Sequence, residues 1–447
     1  MESTKVFRAK ALALAIAVGL GSLSTVVAAD TLEELKAQID ALQKKVVELE
    51  QKQDKTEQKQ TGAAADNVVT GGANKGSFKL PGSNTSITLG GYVKLDAVFS
   101  NPSAGVDAKG DLFLDPTTIA VGPNAANNER NQVKFGARES RLFVKTNTPT
   151  SMGDLNTHVE FDFYGADGNE SVSNSHGFRL RHAYGTLGNF LAGQTWTNFM
   201  SPAALPETVD FGGPVGQIFD RQAQVRWTQP FGSAASGGGG QWSVGLENPE
   251  TVLQIPGGAS FRADDDRFPD VTGQVLFNTP AGKISVHGLL RQIRVDSATA
   301  PTAVDQKLGG ALSVAGVLPT IGKDDFRFTA TAGNAIGRYS DGFFPDGVLG
   351  SDARIRLPRQ WAWFGAYRHY WSDQLRSSLV LSSAAESNPA GSPANTNKST
   401  RSAHVNLIWS PVAGSDLGVE YIYADRETED GLNGHLNRLQ AAAKYAF

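Results

Sequence analysis

Apolar and polar residues alternate along most of the chain, in short segments that run from residue 78 to the C-terminus. The clearest example is Leu436–Phe447, where one face carries Arg438 and Lys444 and the other face is apolar. A period of two residues predicts a β-strand whose two faces meet different surroundings. Such a strand could end a soluble β-sandwich, where its apolar face would invite aggregation. The same strand is also consistent with a closed barrel surrounded by lipid, because its apolar face would then contact lipid.

The number and spacing of these segments favour the barrel. Three further clear examples are 87–99, 155–164 and 402–410. The chain contains about 16 such segments, joined in turn by short connections such as 187–189 and long ones such as 101–131. We therefore predict an all-β fold over residues 78–447, a 16-stranded antiparallel transmembrane β-barrel with both termini on the side of the short turns.

The first residues have the organisation of a secretory signal peptide. Lys5, Arg8 and Lys10 precede the apolar run 11–20, and Val27-Ala28-Ala29 matches a small-residue cleavage site. The run is too short to span a bilayer comfortably as a helix, although a membrane anchor is the alternative. We therefore expect residues 1–29 to direct export and then to be removed.

Residues 30–60 carry the seven-residue repeat of a coiled coil. Apolar residues recur at steps of three and four, with a positions at Leu32, Ile39 and Val46 and d positions at Leu35, Leu42 and Leu49. About three heptads are marginal alone, so association would depend on a body that already oligomerises. The alternative is one amphipathic helix on the protein's own surface. Residues 61–77, rich in Gly, Ala and Asn, are predicted to be a flexible linker.

Composition and motifs narrow the classes of function. The chain has no Cys and a formal net charge of −4 at pH 7, so we expect no disulfide and no nucleic-acid partner. The sequence has no His-Glu-x-x-His motif, no Gly-x-Ser-x-Gly motif and no dense cluster of His and Asp. We therefore expect no catalytic residues, no metal site and no cofactor.

Five short segments of the chain resemble the sequences of a known protein family. They are 78–96 (FKLPGSNTSITLGGYVKLD), 138–141 (RESR), 178–184 (FRLRHAY), 193–196 (GQTW) and 221–227 (RQAQVRW). They resemble the DcaP-like outer-membrane porins, and with the coiled coil the resemblance covers nearly all of the chain after residue 29. It implies a homotrimeric porin of a Gram-negative outer membrane, with the coiled coil in the periplasm. It also implies uptake of small, negatively charged solutes such as dicarboxylates.

Charge within the predicted strands points to the same class of solute. Lys and Arg outnumber Asp and Glu there by roughly two to one, and a cation-lined pore attracts anions. The alternation predicts which side chains face the pore and could bind solute. They are Arg141, Arg179, Arg181, Arg226, Arg291, Arg327, Arg376, Lys94 and His158. The alternative for each Arg is a structural ion pair with an inward carboxylate such as Glu139, Glu160 or Asp162.

The long connection 200–220 is the candidate constriction. Its three prolines cannot continue a strand ladder, and its length exceeds that of an ordinary turn. By resemblance to trimeric porins, the segment would fold into the lumen, where Glu207 and Asp210 would set a negative side opposite the arginines. The alternative is an ordinary surface loop.

The sequence therefore predicts a passive, anion-preferring porin. Its expected partners are outer-membrane lipid, lipopolysaccharide, further copies of the chain and small anionic solutes. The run Asp264-Asp265-Asp266 is either a solvated charge cluster or a bridge through divalent cations to lipopolysaccharide. Two other functions are open: a structural protein that ties the membrane to the cell wall, and a barrel hydrolase whose catalytic residues meet only in space.

Overall fold

The computed structural model describes residues 29–66, 68–101, 112–126, 131–169, 172–233, 238–263, 265–296, 304–340 and 343–447. The chain divides into two compact units. The first contains helix α1, Ala29–Asp66. The predicted signal peptide, residues 1–29, lies outside the described residues except for Ala29, where the helix begins.

Helix α1 spans the segment predicted to form a coiled coil and continues through 61–66, the first residues of the predicted linker. Four of its apolar repeat positions are exposed in the single chain, namely Ile39, Leu42, Val46 and Leu49. The helix thus presents an apolar seam to solvent. No helix among the described residues is long and apolar enough to cross a bilayer.

The second unit is built from β-strands and, among its described residues, four short helical turns. In chain order the strands are β1 (Thr70–Gly71), β2 (Phe78–Lys79), β3 (Ser86–Asn101), β4 (Gln132–Gly136), β5 (Arg141–Thr150), β6 (Gly153–Asn169), β7 (Ser175–Leu187), β8 (Phe190–Trp196), β9 (Arg221–Ser233), β10 (Gly238–Glu247), β11 (Val252–Gln254), β12 (Ser260–Arg262), β13 (Asp270–Thr279), β14 (Gly282–Val295), β15 (Asp305–Pro319), β16 (Asp325–Gly333), β17 (Gly347–Leu349), β18 (Ile355–Arg356), β19 (Arg359–Tyr370), β20 (Leu375–Ser387), β21 (Asn397–Trp409), β22 (Ser415–Thr428) and β23 (Asn433–Ala446). The helical turns are Pro116–Thr118, Pro123–Ala126, Pro202–Ala204 and Gly337–Ser340.

Strand pairing closes the sheet on itself. Strands β4 and β5 pair with successive parts of β3, so together they occupy one position in the barrel. The later barrel strands pair with their neighbours along the chain, and β23 returns to pair with β3. All of these pairs are antiparallel. The result is a closed barrel of 16 strands, which confirms the predicted fold of this unit. The short strands β1 and β2 extend the same sheet from the start of β3.

Side chains alternate between the outside and the inside of the barrel. In β23, Leu439 is half exposed on the outer face, whereas Arg438 is buried inside. In β19, where aromatic residues occupy both parities so that alternation assigns neither face, Trp361 and Trp363 lie outside and Phe364 lies inside. The outer face is therefore largely apolar and the inner face largely polar, as lipid on one side and water on the other require.

The two ends of the barrel differ. Short turns such as 188–189 and 280–281 lie at the end where β3 begins and β23 finishes, and the long loops lie at the other end.

Strands β11, β12, β17 and β18 form a small second sheet from the loops 248–269 and 334–358. Apolar loop residues pack against the inner wall beside β14, β15, β19, β20, β22 and β23; they include Leu114, Ile119, Phe199, Met200, Val215, Ile218, Phe343 and Phe344.

Candidate pore site

The loop 197–220, between β8 and β9, lies against the inner wall of the barrel. Asn406 Nδ2 donates to the carbonyl oxygen of Glu207 at 2.8 Å, and Lys94 Nζ donates to that of Val209 at 2.8 Å. Both donors belong to inward-facing side chains of distant strands. The structure thus places the loop inside the barrel, and it is referred to below as the inner loop.

The two acidic residues of the inner loop bind to their immediate surroundings. Glu207 accepts hydrogen bonds from Arg376 at 2.7 to 2.9 Å and from Arg368 at 3.2 Å. Asp210 is buried and accepts hydrogen bonds from two backbone N–H groups at 3.0 and 2.9 Å. The sequence predicts that both carboxylates set a negative side opposite the arginines. Instead they anchor the loop, because the wall and neighbouring loops supply donors at short range.

The carboxylates of the inner loop differ in how readily they take up a proton. Burial disfavours the charged form of Glu207, but the hydrogen bonds and charges of Arg376 and Arg368 outweigh it and lower its pKa. Burial raises the pKa of Asp210, and it raises the pKa of Asp220 to about 6. Glu207 is therefore the carboxylate of this loop that stays charged furthest into acid.

Cations and carboxylates are paired along the wall from β16 to β20. Arg327 binds Asp325 at 2.7 Å, and Arg368 binds the same carboxylate. Arg376 binds Asp416 at 3.1 Å in addition to Glu207. The predicted candidates Arg327 and Arg376 therefore face inward, but the structure engages each of them in an ion pair.

Arg291 is the most enclosed of the predicted cations. Its side chain is fully buried and binds Asp270 at 3.1 Å and Asp346 in the loop 334–358. It also donates to two backbone carbonyl oxygens at 3.1 and 2.6 Å. Arg291 faces inward as alternation requires, but it does not line an open pore, because the loops that enter the barrel cover it.

The wall from β5 to β9 carries an excess of cations. Arg179 holds Asp162 with two hydrogen bonds, at 2.9 and 2.6 Å. Arg181 binds Glu160 at 2.7 Å and Asp162 at 3.0 Å. Arg141 approaches Glu160 only to 3.8 Å. Three of the predicted arginines thus share two carboxylates, and Arg141 is the least well paired.

A β-bulge brings an extra side chain of β7 into the lumen. The register between β6 and β7 shifts between Glu160 and Phe161, so that Arg181 is the additional residue. As a result Arg181 and His182 are consecutive and both buried, although strict alternation would turn one of them outward. His182 then stacks on His158 with 5.4 Å between ring centroids.

Two arginines of β9 form no ion pair with a described carboxylate. Arg221 lies over the rings of Trp196 and Phe219, with 4.6 and 5.6 Å from its Cζ to the ring centroids. Arg226 donates a 3.4 Å hydrogen bond to Asn198 Oδ1. These two residues add positive charge to the sector that already carries Arg141, Arg179 and Arg181.

The remaining predicted residues are Lys94 and His158. Lys94 is buried and pairs with Glu139 and, at 3.1 Å, with Asp96. His158 Nε2 lies 3.8 Å from Glu160. Both side chains face the interior, and Lys94 is enclosed beneath the inner loop.

Alternation alone missed two inward arginines. Arg221 has the parity of Val225 and Trp227, which face outward, so it was not selected. Arg368 lies in β19, where aromatic residues at both parities leave alternation without a clear outer face. The available signal for Arg221 was its place directly after a long loop, where a strand begins and strict alternation is least reliable.

Asp265 and Asp266 of the predicted acidic run accept hydrogen bonds from nearby residues of the barrel's long-loop end. Asp264 lies outside the described residues. Asp265 accepts a hydrogen bond from the Asp296 N–H at 2.8 Å, and Asp266 accepts one from Thr251 at 2.6 Å. Burial raises the pKa of Asp266 to about 6. Within the described part of the chain no group of three or more acidic, His or Cys side chains is arranged to hold a metal ion.

Comparison with known proteins relates this geometry to a family. The family model described as DcaP outer membrane protein matches residues 28–447. The crystal structure of the outer membrane channel DcaP of Acinetobacter baumannii superposes with a TM-score of 0.70 at 24% identity, covering 85% of this chain and 100% of that one. OmpT of Vibrio cholerae superposes with a TM-score of 0.50 at 13% identity, covering 81% and 98%. Comparison with curated protein sequences finds no match.

Proposed function

This chain belongs to the DcaP outer membrane protein family, and we propose that it is a passive channel that prefers anions and admits small carboxylates, dicarboxylates among them. Its barrel has the fold of an outer-membrane porin. Diffusion through such a barrel needs a polar lumen and no cofactor, so selectivity depends on the charges that a solute meets inside.

The observation that carries this proposal is the uneven charge of the lumen. The wall from β16 to β20 pairs its cations with carboxylates, and apolar loop residues pack beside much of that wall. On the wall from β5 to β9, the described residues include five guanidinium groups, those of Arg141, Arg179, Arg181, Arg221 and Arg226. The first three share the carboxylates Glu160 and Asp162, and the last two form no ion pair with a described carboxylate. An anion on that side would exchange part of its hydration for charged donors.

Guanidinium groups favour carboxylates over spherical anions. The group is planar and offers two parallel N–H donors that match the two oxygens of a carboxylate. The pair that Arg179 makes with Asp162 has this form, with contacts of 2.9 and 2.6 Å. A solute carboxylate would meet the same geometry at an arginine that is not already paired, and a dicarboxylate could meet two.

We further propose that three copies assemble, with helix α1 as a periplasmic coiled coil and residues 1–29 as the export signal. Support for association comes from the apolar repeat of α1, which is exposed in the single chain at Ile39, Leu42, Val46 and Leu49. In this arrangement the short turns face the periplasm, and the outer face contacts lipid and, in the outer leaflet, lipopolysaccharide.

Reversal potential in a salt gradient tests the channel function. Purified protein in planar lipid bilayers, with different KCl concentrations on the two sides, should give a potential whose sign shows that chloride is the more permeant ion. A clear preference for potassium would contradict the proposal. Folded protein that inserts without conducting would favour a structural link to the cell wall, or a hydrolase if lipid is cleaved.

A further inference from the structure

We propose that Glu386, Asn388 and Glu429 bind a calcium ion at the long-loop end of the barrel. Glu386 lies near the end of β20, Asn388 follows that strand directly, and Glu429 belongs to the loop between β22 and β23. These residues take no part in the proposed anion preference, so the inference is independent of it. It depends on two buried oxygen atoms and on the charges around them.

Glu386 is a buried carboxylate with one oxygen that accepts nothing. The residue is 5% exposed. Its Oε2 accepts a 3.0 Å hydrogen bond from Gln360 Nε2, whereas its Oε1 is buried without a partner among the described residues. The charged group that acts on it is Glu429, which is itself a carboxylate. Burying a negative charge without a cation is costly, so a cation at Oε1 would stabilise this arrangement.

The amide of Asn388 supplies the second oxygen, beside the carboxylate of Glu386. Its Nδ2 donates to Glu429 Oε2 and to the carbonyl oxygen of Asn397, both at 3.0 Å. These acceptors fix the orientation of the amide, because only its NH₂ group can donate to them. Its Oδ1 is then left buried, with no partner in the part of the chain that the structure describes. Two neighbouring side chains thus each present an oxygen that needs a positive partner.

Glu429 connects the site to solvent. Its side chain is exposed, and its N–H group bonds to the loop 388–396 at 2.9 Å. Lys398 lies close enough to act on the charge of Glu429, but its ammonium group binds Glu427 at 2.7 Å. A cation could therefore enter past Glu429 and bind between the two loops.

The ligand chemistry favours calcium. Carboxylate and amide oxygens suit hard cations, whereas zinc and copper prefer nitrogen and sulfur ligands. Magnesium demands nearly ideal octahedral geometry, but calcium accepts irregular sets of oxygens and completes its shell with carbonyl oxygens and water. The two carboxylates carry two negative charges, which one calcium ion would balance.

The sequence predicts no metal site, and the reason lies in the composition of this one. Among the described residues, no group of three or more acidic, His or Cys side chains is arranged to hold a metal ion. The proposed site has two acidic side chains, from the ends of different strands, and takes its other ligands from amide and carbonyl oxygens. Such a set leaves no spacing pattern in the chain.

Gln360 links the site to a third loop. Its Nε2 donates to Glu386, and its Oε1 accepts hydrogen bonds from the N–H groups of Ile336 and Gly337 at 2.9 and 3.0 Å. Both belong to the loop 334–358, which also covers the inner wall. A bound calcium ion would therefore stabilise three loops at the same end of the barrel.

Calcium binding to purified protein, refolded in detergent without lipopolysaccharide, tests the site. Isothermal titration should give about one ion per chain, with a dissociation constant of about 0.1–1 mM, the range of extracellular calcium modules. E386Q should bind about tenfold more weakly or worse, because one of the two charged ligands is lost. This variant replaces Oε1 by an NH₂ donor and should fold without the ion. D352N, which removes an exposed carboxylate from the same end of the barrel, should bind as the wild type does.

Thermal stability gives a second readout. Calcium should raise the temperature at which the wild-type barrel loses its compact form on gels, EDTA should reverse the shift, and E386Q should not respond.

Several results would overturn the site. One is wild-type affinity in E386Q, and another is no binding by the wild type up to about 10 mM calcium, which would mean that only water meets Oε1. Equal losses in E386Q and D352N would reduce the effect to general charge. Should E386Q not fold, wild-type affinity in E429Q would be decisive against the site, since Glu429 is exposed.

Discussion

An inward-facing charge differs from a charge that is available to a solute, and individual arginines show the difference. Arg179 and Arg221 both belong to the positive sector, yet Arg179 is bound to Asp162 and Arg221 is not. Alternation predicts which face of a strand a residue occupies, because the period of two is a local property. It does not predict pairing, since the partner is supplied by another strand, or by a loop as Glu207 is for Arg376.

Replacing Arg291 by Met tests the importance of the buried ion network. In R291M, Asp346 would lose its cation and Asp270 would keep only its pair with Arg338, at 2.9 Å, while both carboxylates stay buried. Leaving a buried charge without its partner typically costs about 3–5 kcal/mol. We expect the free energy of unfolding, measured by urea titration in detergent micelles, to fall by an amount of that order.

The same substitution at Arg356 is the control for R291M. Arg356 pairs with Asp352 in the same loop region, but both side chains are substantially exposed, and exposed pairs contribute little to stability. R356M should therefore unfold close to the wild type. Equal urea midpoints for R291M and R356M would show that the buried network does not support the loops.

Elements that depart from regular strand geometry give the lumen its shape. Gly216 of the inner loop lies so close to β19 that a Cβ there would be 1.9 Å from the Trp363 carbonyl oxygen. Glu420 accepts a 2.8 Å hydrogen bond from the Val209 N–H across 211 residues of sequence. The length and prolines of 200–220 predict a long loop. Its position inside the barrel depends on contacts with residues far away in the sequence, and a local sequence pattern does not predict such contacts.

The Glu207 anchor predicts how the inner loop responds to acid. The pKa of Glu207 lies below its ordinary value of 4.5 in the folded protein, so its charge adds stability above that value, and this stability is lost as the pH falls through the folded pKa. In E207Q the ion pairs with Arg376 and Arg368 are absent at every pH. We expect E207Q to show larger fluctuations of single-channel current at neutral pH, and the wild type to match it only below pH 4.5.

D352N is the control for this titration. A hydrogen bond from Arg356 lowers the pKa of Asp352 to about 2, but this carboxylate is exposed, and its hydrogen bonds come from Arg354 and Arg356 of its own loop, 334–358. D352N should therefore follow the wild type across the pH range. Indistinguishable current fluctuations in E207Q and the wild type at neutral pH would mean that Glu207 does not anchor the loop.

In the whole molecule a regular barrel encloses an asymmetric lumen. Closure could be predicted from the sequence, because alternating segments, their number and the two kinds of connection are all properties of the strands themselves. The asymmetry could not be predicted, because it depends on which strands the loops contact. Phe343, for example, packs beside β19, β20, β22 and β23, whereas Arg221 and Arg226, which form no ion pair with a described carboxylate, lie on β9. Loops have no period from which such packing could be derived.

The apolar seam of helix α1 gives a prediction for the assembled molecule. Leu42 and Leu49 are 62% and 61% exposed in the single chain, so a partner helix could bury both. Burying a Leu side chain is worth about 1.5–3 kcal/mol, and a seam of about three heptads has little stability to spare. The double variant L42D/L49D should therefore lower the temperature at which oligomers dissociate on gels, by several degrees or more, while each barrel conducts as before.

A matched variant distinguishes loss of the seam from the mere addition of charge. A37D/Q51D places two aspartates on the same helix at f positions, which face away from a coiled-coil partner. Its oligomers should dissociate at the wild-type temperature. If both double variants behave like the wild type, α1 does not join the copies, and any assembly must depend on the barrels alone. If both lower the dissociation temperature equally, negative charge on the helix, and not the seam, would be the cause.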